Sequence, residues 1–390
     1  MIKLNKDDIQ IAKSISRLKE ASGSHSPSVI TLNEKIPSLK IAIDACFLSN
    51  PYATDLFLNR LQSEVIDTGR IRDVLEYYPS QNEILARILS DYIRVPTKNI
   101  FIGNGATEII QAVIHNFVEK DIVIMIPTFS SYYEFVKESV NVHYYQLLKE
   151  NNYQVNIDDY LESVNKIKPD TIVLINPNNP DGGYIPYPEL RKILNSLKWV
   201  KNIIIDESFI HFAFEDAEYT LMSAAELFKD YKNVIVIKSM SKDFGIAGIR
   251  AGYGIMESSK VNALLQNGYL WNMNGLAEYF FRLYVKKSFQ NEYNLIRKKY
   301  ILHAHAFFGE LNNNIPNIRV YPSMANFILI ELLDGSTSSE FVSKMLIKYG
   351  IYTRSCSDKI GLDGEYIRLA ARTEAENKII SNSIKLLFDS

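Results

Sequence analysis

A lysine follows a run of aliphatic residues that has the composition of a buried strand. The run is Val234-Ile235-Val236-Ile237, and Lys242 closes the segment Ser239-Met240-Ser241-Lys242 just beyond it. A lysine at this place does not suit a solvated surface, because the run before it is apolar throughout. It suits a site at the end of a strand, where an amine can act as a nucleophile toward a carbonyl group.

Four other segments with chemically useful side chains also follow strand-like runs. They are Gly103-Asn104-Gly105-Ala106-Thr107, Pro127-Thr128-Phe129, Asn176-Pro177-Asn178-Asn179-Pro180 and Asp206-Glu207. Ligands of parallel sheets bind beyond the carboxyl ends of the strands, so we expect these segments to face one ligand. With Lys242 they supply a phosphate cradle, an aromatic ring, an amide, a carboxylate and an amine.

One cofactor, pyridoxal phosphate, needs all five of these groups. Its aldehyde reacts with a lysine amine, and a carboxylate beside its pyridine nitrogen keeps that nitrogen protonated. Its ring needs a stacking partner and its phenolic oxygen needs a hydrogen-bond donor. Its phosphate needs backbone N–H groups at a helix N-terminus, together with hydroxyls and an arginine. Each segment alone is more typical of a turn, a helix cap or the core, and only their common placement indicates the cofactor.

The elements that must position these residues alternate between strands and helices from about residue 100. Strands that are aliphatic throughout are typical of a mostly parallel sheet covered by helices on both faces. After residue 258 the pattern predicts a long helical stretch to about Phe308 and then a smaller α+β region. The predicted strands are Ile122–Ile126, His143–Leu147, Thr171–Ile175, Asn202–Ile205, Asn233–Ile237, Arg250–Ile255, Ile318–Tyr321, Asn326–Glu331, 351–354 and 366–370. The predicted helices are Glu108–Phe117, 131–139, 158–166, 187–198, 339–349 and 374–388.

These motifs resemble those of the fold-type I pyridoxal-phosphate enzymes, the aspartate-aminotransferase-like superfamily. Ser239-x-x-Lys242 followed by Gly248-x-Arg250-x-Gly252-Tyr253 is similar to the lysine motif of that family, and the other segments occur in the family's order over roughly residues 40–390. The resemblance implies an α/β fold, with a mostly parallel sheet in a large domain and a smaller α+β C-terminal domain.

The resemblance also implies a role for each cofactor-binding residue. Lys242 would be the Schiff-base lysine, Asp206 would pair with the pyridine nitrogen, and both would be catalytic. Asn179 would donate to the phenolic oxygen, and Phe129 would stack on the ring. The residues expected around the cofactor phosphate are Gly105, Ala106, Thr107, Ser239, Ser241 and Arg250.

We expect three units along the chain. Residues 1–50 would form an N-terminal arm that packs on the small domain or on a partner subunit. Residues 51–270 would form the large cofactor-binding domain. Residues 271–390 would supply a linking helix and the small C-terminal domain.

Within the superfamily the chain resembles the histidinol-phosphate aminotransferase branch, and within that branch the threonine-phosphate decarboxylases. The similarity lies in Thr353-Arg354-Ser355-Cys356, in Gly361-Leu362-Asp363 and in the run from Tyr366 to Arg372. Aminotransferases of this branch usually have a tyrosine where Phe209 stands here, and its hydroxyl contacts the cofactor. Phe209 lacks that hydroxyl, as the decarboxylases do.

The resemblance implies decarboxylation of a small O-phospho-L-amino acid, with pyridoxal 5'-phosphate as the cofactor. The substrate would be O-phospho-L-serine or O-phospho-L-threonine, and the product ethanolamine phosphate or 1-aminopropan-2-ol phosphate with CO₂. Leu48-Ser49-Asn50-Pro51 stands where the decarboxylases show N-x-N-P, so both substrates stay open. The alternatives are an aminotransferase acting on histidinol phosphate or a phosphorylated ketone, and a catalytically silent member of the family.

Five residues are expected at the substrate or at a subunit boundary. Arg354 and Arg368 lie where the family binds substrate anions, and two guanidinium groups suit a phosphate. His25 and Asn50 match positions that the decarboxylases use at the substrate. Tyr78 matches a tyrosine that family members lend across a homodimer to the cofactor phosphate, so we expect shared active sites.

Composition excludes several classes of partner. The chain has 390 residues and a formal net charge of −2 with no basic stripe, so nucleic acid is not expected. No apolar run approaches the roughly 18–20 residues of a membrane helix, and the N-terminus lacks the pattern of a secretory signal. Cys46 and Cys356 are too far apart in sequence to indicate a metal site or a disulfide framework. We therefore expect a soluble cytoplasmic protein without a metal.

Overall fold

The structure, a computed structural model, describes residues 5–269 and 271–389. Its α-helices are α1 (Lys6–Ala21), α2 (Val29–Lys35), α3 (Pro51–Leu61), α4 (Ile71–Glu76), α5 (Asn82–Ile93), α6 (Ala106–Phe117), α7 (Ser131–Glu134), α8 (Ile157–Ile167), α9 (Tyr187–Ser196), α10 (Ser258–Gln266), α11 (Gly275–Tyr284), α12 (Lys287–Asn314), α13 (Ser338–Tyr349) and α14 (Glu374–Asp389). Its strands are β1 (Ile43–Asp44), β2 (Ile100–Gly103), β3 (Asp121–Ile126), β4 (Asn141–Gln146), β5 (Thr171–Ile175), β6 (Asn202–Asp206), β7 (Val234–Ser239), β8 (Gly252–Ile255), β9 (Ile318–Val320), β10 (Phe327–Leu332), β11 (Ile351–Tyr352), β12 (Arg354–Ser355) and β13 (Tyr366–Ala370).

Seven strands form one mixed, mostly parallel sheet in the order β2-β8-β7-β6-β5-β3-β4. Only β8 runs against its neighbours, and it is antiparallel to both β2 and β7. The carboxyl ends of β2, β3, β5, β6 and β7 therefore share one edge, and β8 begins at that edge. This topology confirms the predicted fold class and the predicted convergence of the strand ends.

Both faces of the sheet are buried at its central strands, which explains why β3, β5, β6 and β7 are largely aliphatic, whereas the edge strand β4 is polar and partly exposed. In β6, Ile203 and Ile205 pack in one apolar core, whereas Ile204 packs in a second core on the opposite face. In β7, Val236 packs in the first of these cores and Ile235 packs in the second. The period of two in side-chain direction thus places alternate residues under the two helix layers.

A smaller antiparallel sheet, in the order β12-β13-β10-β9, lies in the C-terminal part of the chain. Its core includes Ile328 and Leu369, and the N-terminal residues Ile15 and Leu32 pack into the same core. The N-terminal segment is also tied to α13 by the ion pair between Lys348 and Asp8. Residues near the N-terminus thus pack on the C-terminal part of their own chain, while the division at residues 50 and 270 stays a prediction.

Three differences from the predicted elements have local causes. The helix predicted at 131–139 ends at Glu134, because the chain must turn at 137–140 to enter β4. The long helix predicted after residue 258 is three helices, α10 to α12, and Gly268 with φ of +92° lies in the first break. Residues 1–40, for which we predicted no element, include α1, whose capping box joins Asn5 and Asp8. No helix in the described part of the chain is both long and apolar enough to cross a bilayer.

Candidate active site

A cavity of about 270 Å³ opens at the edge where the parallel strands end. It combines the strand ends of the large sheet with a segment before α2 and with residues of the small antiparallel sheet. The structure brings most of the predicted site residues to this cavity. They are His25, Ala106, Thr107, Phe129, Asn179, Asp206, Ser239, Ser241, Lys242, Arg250, Arg354 and Arg368.

Lys242 lies in the turn that follows β7 and is partly buried. The backbone N–H of Asn50 donates to the Lys242 carbonyl at 3.1 Å, which ties this turn to the segment before α3. Burial lowers the pKa of the Lys242 amine to about 8, and the charges of Arg368 and Arg250 act in the same direction. A substantial fraction of the amine is therefore neutral near physiological pH, which is the state that attacks a carbonyl.

A buried ionic network lies beside the Lys242 turn and was not predicted. Lys238 and Asp243 form an ion pair in which both side chains are inaccessible to solvent. Lys238 Nζ also donates to the Glu207 carbonyl at 3.1 Å, and His211 Nδ1 lies 3.7 Å from the Asp243 carboxylate. Asp243 follows Lys242 and Glu207 follows Asp206 in the sequence, so the network links the two strand ends that carry the amine and the carboxylate.

Asp206 is a buried carboxylate at the end of β6 with a donor on each oxygen. The Tyr132 hydroxyl donates to Oδ2 at 2.8 Å, and the Ser208 backbone N–H donates to Oδ1 at 2.8 Å. Burial raises the pKa of Asp206, while these donors act in the opposite direction. Tyr132 was not predicted, because the sequence gives no sign that its hydroxyl reaches this carboxylate.

The start of α6 has the geometry of an anion cradle. Gly105 caps this helix with φ of +78° and ψ of 167°, a conformation essentially restricted to glycine. A Cβ atom at Gly105 would lie 2.4 Å from Arg250 Nη2, so the missing side chain lets the guanidinium approach the helix N-terminus. The Ser241 hydroxyl is buried and lacks a hydrogen-bond partner in the described part of the chain. A helix N-terminus, a guanidinium and an unsatisfied hydroxyl together fit a phosphate group.

Asn179 and Phe129 lie where a ring could bind between them and the strand ends. Arg368 Nη1 donates to Asn179 Oδ1 at 2.7 Å, so the amide nitrogen of Asn179 is left as a donor. Phe129 is partly buried and lies 6.2 Å, centroid to centroid, from the His25 ring. With Lys242, Asp206 and the cradle, these residues fit the aldehyde, the pyridine nitrogen, the phenolic oxygen, the ring and the phosphate of pyridoxal phosphate.

The arginines predicted to bind substrate both reach the cavity. Arg354 is buried, and its Nη2 donates to the Ser24 carbonyl at 2.8 Å and to Asp358 Oδ2 at 2.7 Å. Arg368 Nη2 donates to the Cys46 carbonyl at 2.9 Å. These contacts hold the two guanidinium groups at the wall formed by the N-terminal segment and the small sheet.

Three predicted residues lie elsewhere or only at the margin. Asn50 is fully buried and does not line the cavity, and its side chain caps α3 by accepting from the Ala53 N–H. Leu48 of the same turn lines the cavity instead, so the contact of Asn50 with the substrate stays a prediction that this placement does not support. Tyr78 is 86% exposed and contacts the ring of Trp271, so its role in a partner subunit stays a prediction. Gly105 does not line the cavity itself, but its missing side chain lets the Arg250 guanidinium approach the start of α6.

Comparison with known proteins assigns the family. The model of the aminotransferase class I and II family matches residues 49–384. The chain belongs to this family. Pyridoxal phosphate is its cofactor, in agreement with the fit of the cavity.

Two similar proteins and one solved structure extend over nearly the whole chain. The L-serine phosphate decarboxylase of Campylobacter jejuni is 61% identical over 384 residues, covering 98% of this chain and 98% of that protein. The L-serine phosphate decarboxylase of Sulfurospirillum multivorans is 47% identical over 388 residues, covering 99% of each. A solved structure of a decarboxylase from Sulfurospirillum multivorans, also 47% identical, has a TM-score of 0.93 and covers 97% of this chain and 96% of that one.

Proposed function

We propose that this protein is a pyridoxal-phosphate-dependent decarboxylase of a small O-phospho-L-amino acid, with O-phospho-L-serine as the preferred substrate. The products would be CO₂ and ethanolamine phosphate. Two similar proteins that match almost the entire chain are L-serine phosphate decarboxylases, which supports this choice over O-phospho-L-threonine.

The observation that carries the proposal is the presence of Arg354 and Arg368 in the same cavity as Lys242. Guanidinium groups bind phosphate through paired, charge-assisted hydrogen bonds. A substrate held by its phosphate at these arginines can present its amino group to the strand ends. The cavity volume of about 270 Å³ suits a small substrate together with part of the cofactor.

The chain's own residues divide the remaining work. When bound, pyridoxal phosphate supplies a carbonyl that joins the substrate amine and a ring that accepts the electron pair released at Cα. Asp206 would hold the proton on the pyridine nitrogen, and Tyr132 would keep Asp206 ionised. Lys242 would attach the cofactor before the substrate arrives and deliver a proton to Cα after CO₂ has left. The arginines would orient the substrate so that the bond to its carboxylate, and not the Cα–H bond, is the one that breaks.

Phe209 supports decarboxylation over transamination. This residue lines the cavity, is buried, and packs edge-on against the Phe327 ring at 5.0 Å. It therefore offers an apolar surface at a position where aminotransferases of this branch usually carry a phenol hydroxyl.

We also propose that the protein acts as a cytoplasmic homodimer in which Tyr78 reaches the cofactor phosphate of the partner subunit. The exposed rings of Tyr78 and Trp271 support a contact there, since large apolar side chains in contact at a surface mark interaction sites. The free, buried thiols of Cys46 and Cys356 agree with a reducing compartment. The three-unit division at residues 50 and 270 is part of the same proposal.

The reaction type can be tested by running the reaction in heavy water. Loss of CO₂ followed by proton delivery to Cα predicts ethanolamine phosphate with one deuterium on the carbon that bears the nitrogen. Mass spectrometry of the product measures this directly. Formation of a keto product, with the amino group transferred to an added keto acid, would instead indicate an aminotransferase.

A further inference from the structure

A buried lysine between β12 and β13 reaches the cavity, and its ammonium group has no hydrogen-bond or ion-pair partner among the described residues. Lys359 is 8% exposed and lines the cavity together with Arg354 and Arg368. Across residues 5–269 and 271–389, no hydrogen bond or ion pair involves its ammonium group. Burying an ammonium group is costly unless an anion compensates it, so its position indicates an anion that binds in the cavity.

The carboxylate next to Lys359 in the sequence is engaged elsewhere. Asp358 accepts from Arg354 Nη2 at 2.7 Å, and Lys19 Nζ lies 3.5 Å from the same carboxylate. Asp358 therefore makes its hydrogen bonds with Arg354, and its charge compensates the Lys359 ammonium only in part, without a hydrogen bond or ion pair between them. Burial lowers the pKa of Lys359 to about 8, and the nearby Arg354 charge acts in the same direction, whereas the Asp358 charge acts in the opposite direction. Burial and the neighbouring positive charge both destabilise the charged form of Lys359. An anion that binds in the cavity would therefore stabilise this cluster of cations.

We infer that Lys359 is a third cation of the substrate's phosphate subsite and that it selects dianionic phosphate esters over monoanionic esters of similar size. This inference rests on the proposed function, because it assigns the substrate phosphate to this wall of the cavity. A phosphate monoester carries nearly two negative charges at neutral pH, since its second pKa is about 6. Arg354 and Arg368 can bind the phosphate oxygens, and the Lys359 ammonium compensates the second negative charge of the phosphate.

The kinetic test compares two esters of serine on cofactor-loaded protein. O-phospho-L-serine is dianionic and L-serine O-sulfate is monoanionic, while their sizes are similar. For Lys359→Met we expect KM for O-phospho-L-serine to rise about 10- to 100-fold with kcat changed less than about threefold. The inhibition constant of L-serine O-sulfate should change less than about threefold, because that ester lacks the second charge. Lys359→Arg should restore most of the discrimination between the two esters.

A matched control tests whether loss of any lysine charge in the C-terminal part of the chain has the same effect as loss of the Lys359 charge. Lys378 lies on the exposed side of α14 and pairs with Glu374 at 2.9 Å. Lys378→Met should leave both constants unchanged. If Lys359→Met weakens both esters equally, Lys359 has a general structural role and the inference is overturned. If Lys359→Met does not hold cofactor, Lys359→Gln provides the same comparison with a polar side chain of similar length.

A binding measurement makes the subsite testable without turnover. Calorimetry with inorganic phosphate on cofactor-loaded protein should show at least about tenfold weaker binding for Lys359→Met than for the unchanged protein. Failure to decarboxylate any phosphoamino acid, with this difference intact, would refute the proposed function but keep the phosphate subsite. Equal phosphate affinities in the two proteins would refute the subsite, whatever the activity.

Discussion

At the scale of single residues, the site depends on groups whose ionisation is set by burial and by one or two named neighbours. Burial and two arginines lower the pKa of the Lys242 amine, so that the amine is partly neutral. Burial raises the pKa of Asp206, and its two hydrogen-bond donors limit this rise. The amine and the carboxylate are thus shifted toward each other in pKa. Such paired shifts are common where an enzyme needs a nucleophile and a fixed charge in the same cavity.

Tyr132→Phe tests the control of Asp206. Removing the hydroxyl removes a donor that lowers the pKa of Asp206, so this pKa should rise further and the carboxylate should become protonated at a higher pH. Because cofactor binding needs the ionised carboxylate, affinity for pyridoxal phosphate should fall on acidification at a higher pH than in the unchanged protein. On the acid side we expect a loss of roughly tenfold, measured as the dissociation constant between about pH 5 and pH 8.

Tyr133→Phe is the control for this experiment, since Tyr133 is the next residue and its ring lies edge-on to Tyr144 rather than at Asp206. Its dissociation constant should follow that of the unchanged protein over the whole pH range. If affinity for pyridoxal phosphate falls at the same pH in Tyr132→Phe as in the unchanged protein, the Tyr132 hydroxyl does not control the ionisation of Asp206.

At the scale of elements, the junction between β2 and α6 and the start of β8 form one anion cradle. Arg250 adopts a left-handed backbone conformation with φ of 60°, which is uncommon for a residue with a side chain. Gly105 adopts a conformation essentially restricted to glycine, and the two residues are in contact. The close approach of these two strained positions indicates that the elements are arranged for a ligand at the helix N-terminus.

Gly105→Ala should damage this cradle. The new Cβ atom would lie 2.4 Å from Arg250 Nη2, and the backbone conformation would be strained as well. We expect affinity for pyridoxal phosphate to fall at least about tenfold, measured by equilibrium dialysis.

Gly309→Ala in α12 is the opposite case, because a Cβ atom there would meet nothing within 4 Å. It should leave cofactor affinity unchanged and raise the free energy of unfolding by about 0.5–1 kcal/mol, measured in urea. Equal cofactor affinity in Gly105→Ala and Gly309→Ala would mean that the cradle is not the phosphate site.

Sequence was sufficient for the elements whose pattern is set by burial on both faces. Thr171–Ile175 was predicted with its observed bounds, because the buried run Ile172–Ile175 is aliphatic and the strand lies between Asp170 and Asn176. The site was less predictable where a side chain's direction depends on a turn, as at Asn50, which caps a helix while Leu48 lines the cavity. Lys359 was missed because a lysine in a polar loop has the pattern of a solvated residue, and only tertiary packing buries it.

At the scale of the whole molecule, one helix joins the two parts that enclose the cavity. Phe289 of α12 packs in a core beside the large sheet, whereas Leu311 of the same helix packs in the core of the small sheet. The N-terminal segment packs in that second core and contributes Ser24 and His25 to the cavity wall. Residues far apart in the sequence thus enclose one site, and Tyr78 remains outside it within a single chain.

Complementation between two defective variants tests whether active sites are shared. Lys242→Ala and Tyr78→Ala should each have little activity alone, but co-expression should restore about a quarter of the unchanged activity. The expectation follows because half of the dimers would be mixed, and each mixed dimer would have one intact site. A protein that sediments as a monomer would contradict the proposed shared site. Mixed dimers without recovered activity would contradict it as well.

The central claim is that the protein removes the carboxylate of a small phosphorylated amino acid, and release of CO₂ tests it most directly. Cofactor-loaded protein should be incubated with carboxyl-labelled O-phospho-L-serine or O-phospho-L-threonine and no keto acid. We expect labelled CO₂ in amounts equal to the phosphorylated amine, faster from O-phospho-L-serine, and lost in Lys242→Ala. Label that stays in the amino acid, while an added phosphorylated ketone accepts an amino group from glutamate, would show that the protein is an aminotransferase instead.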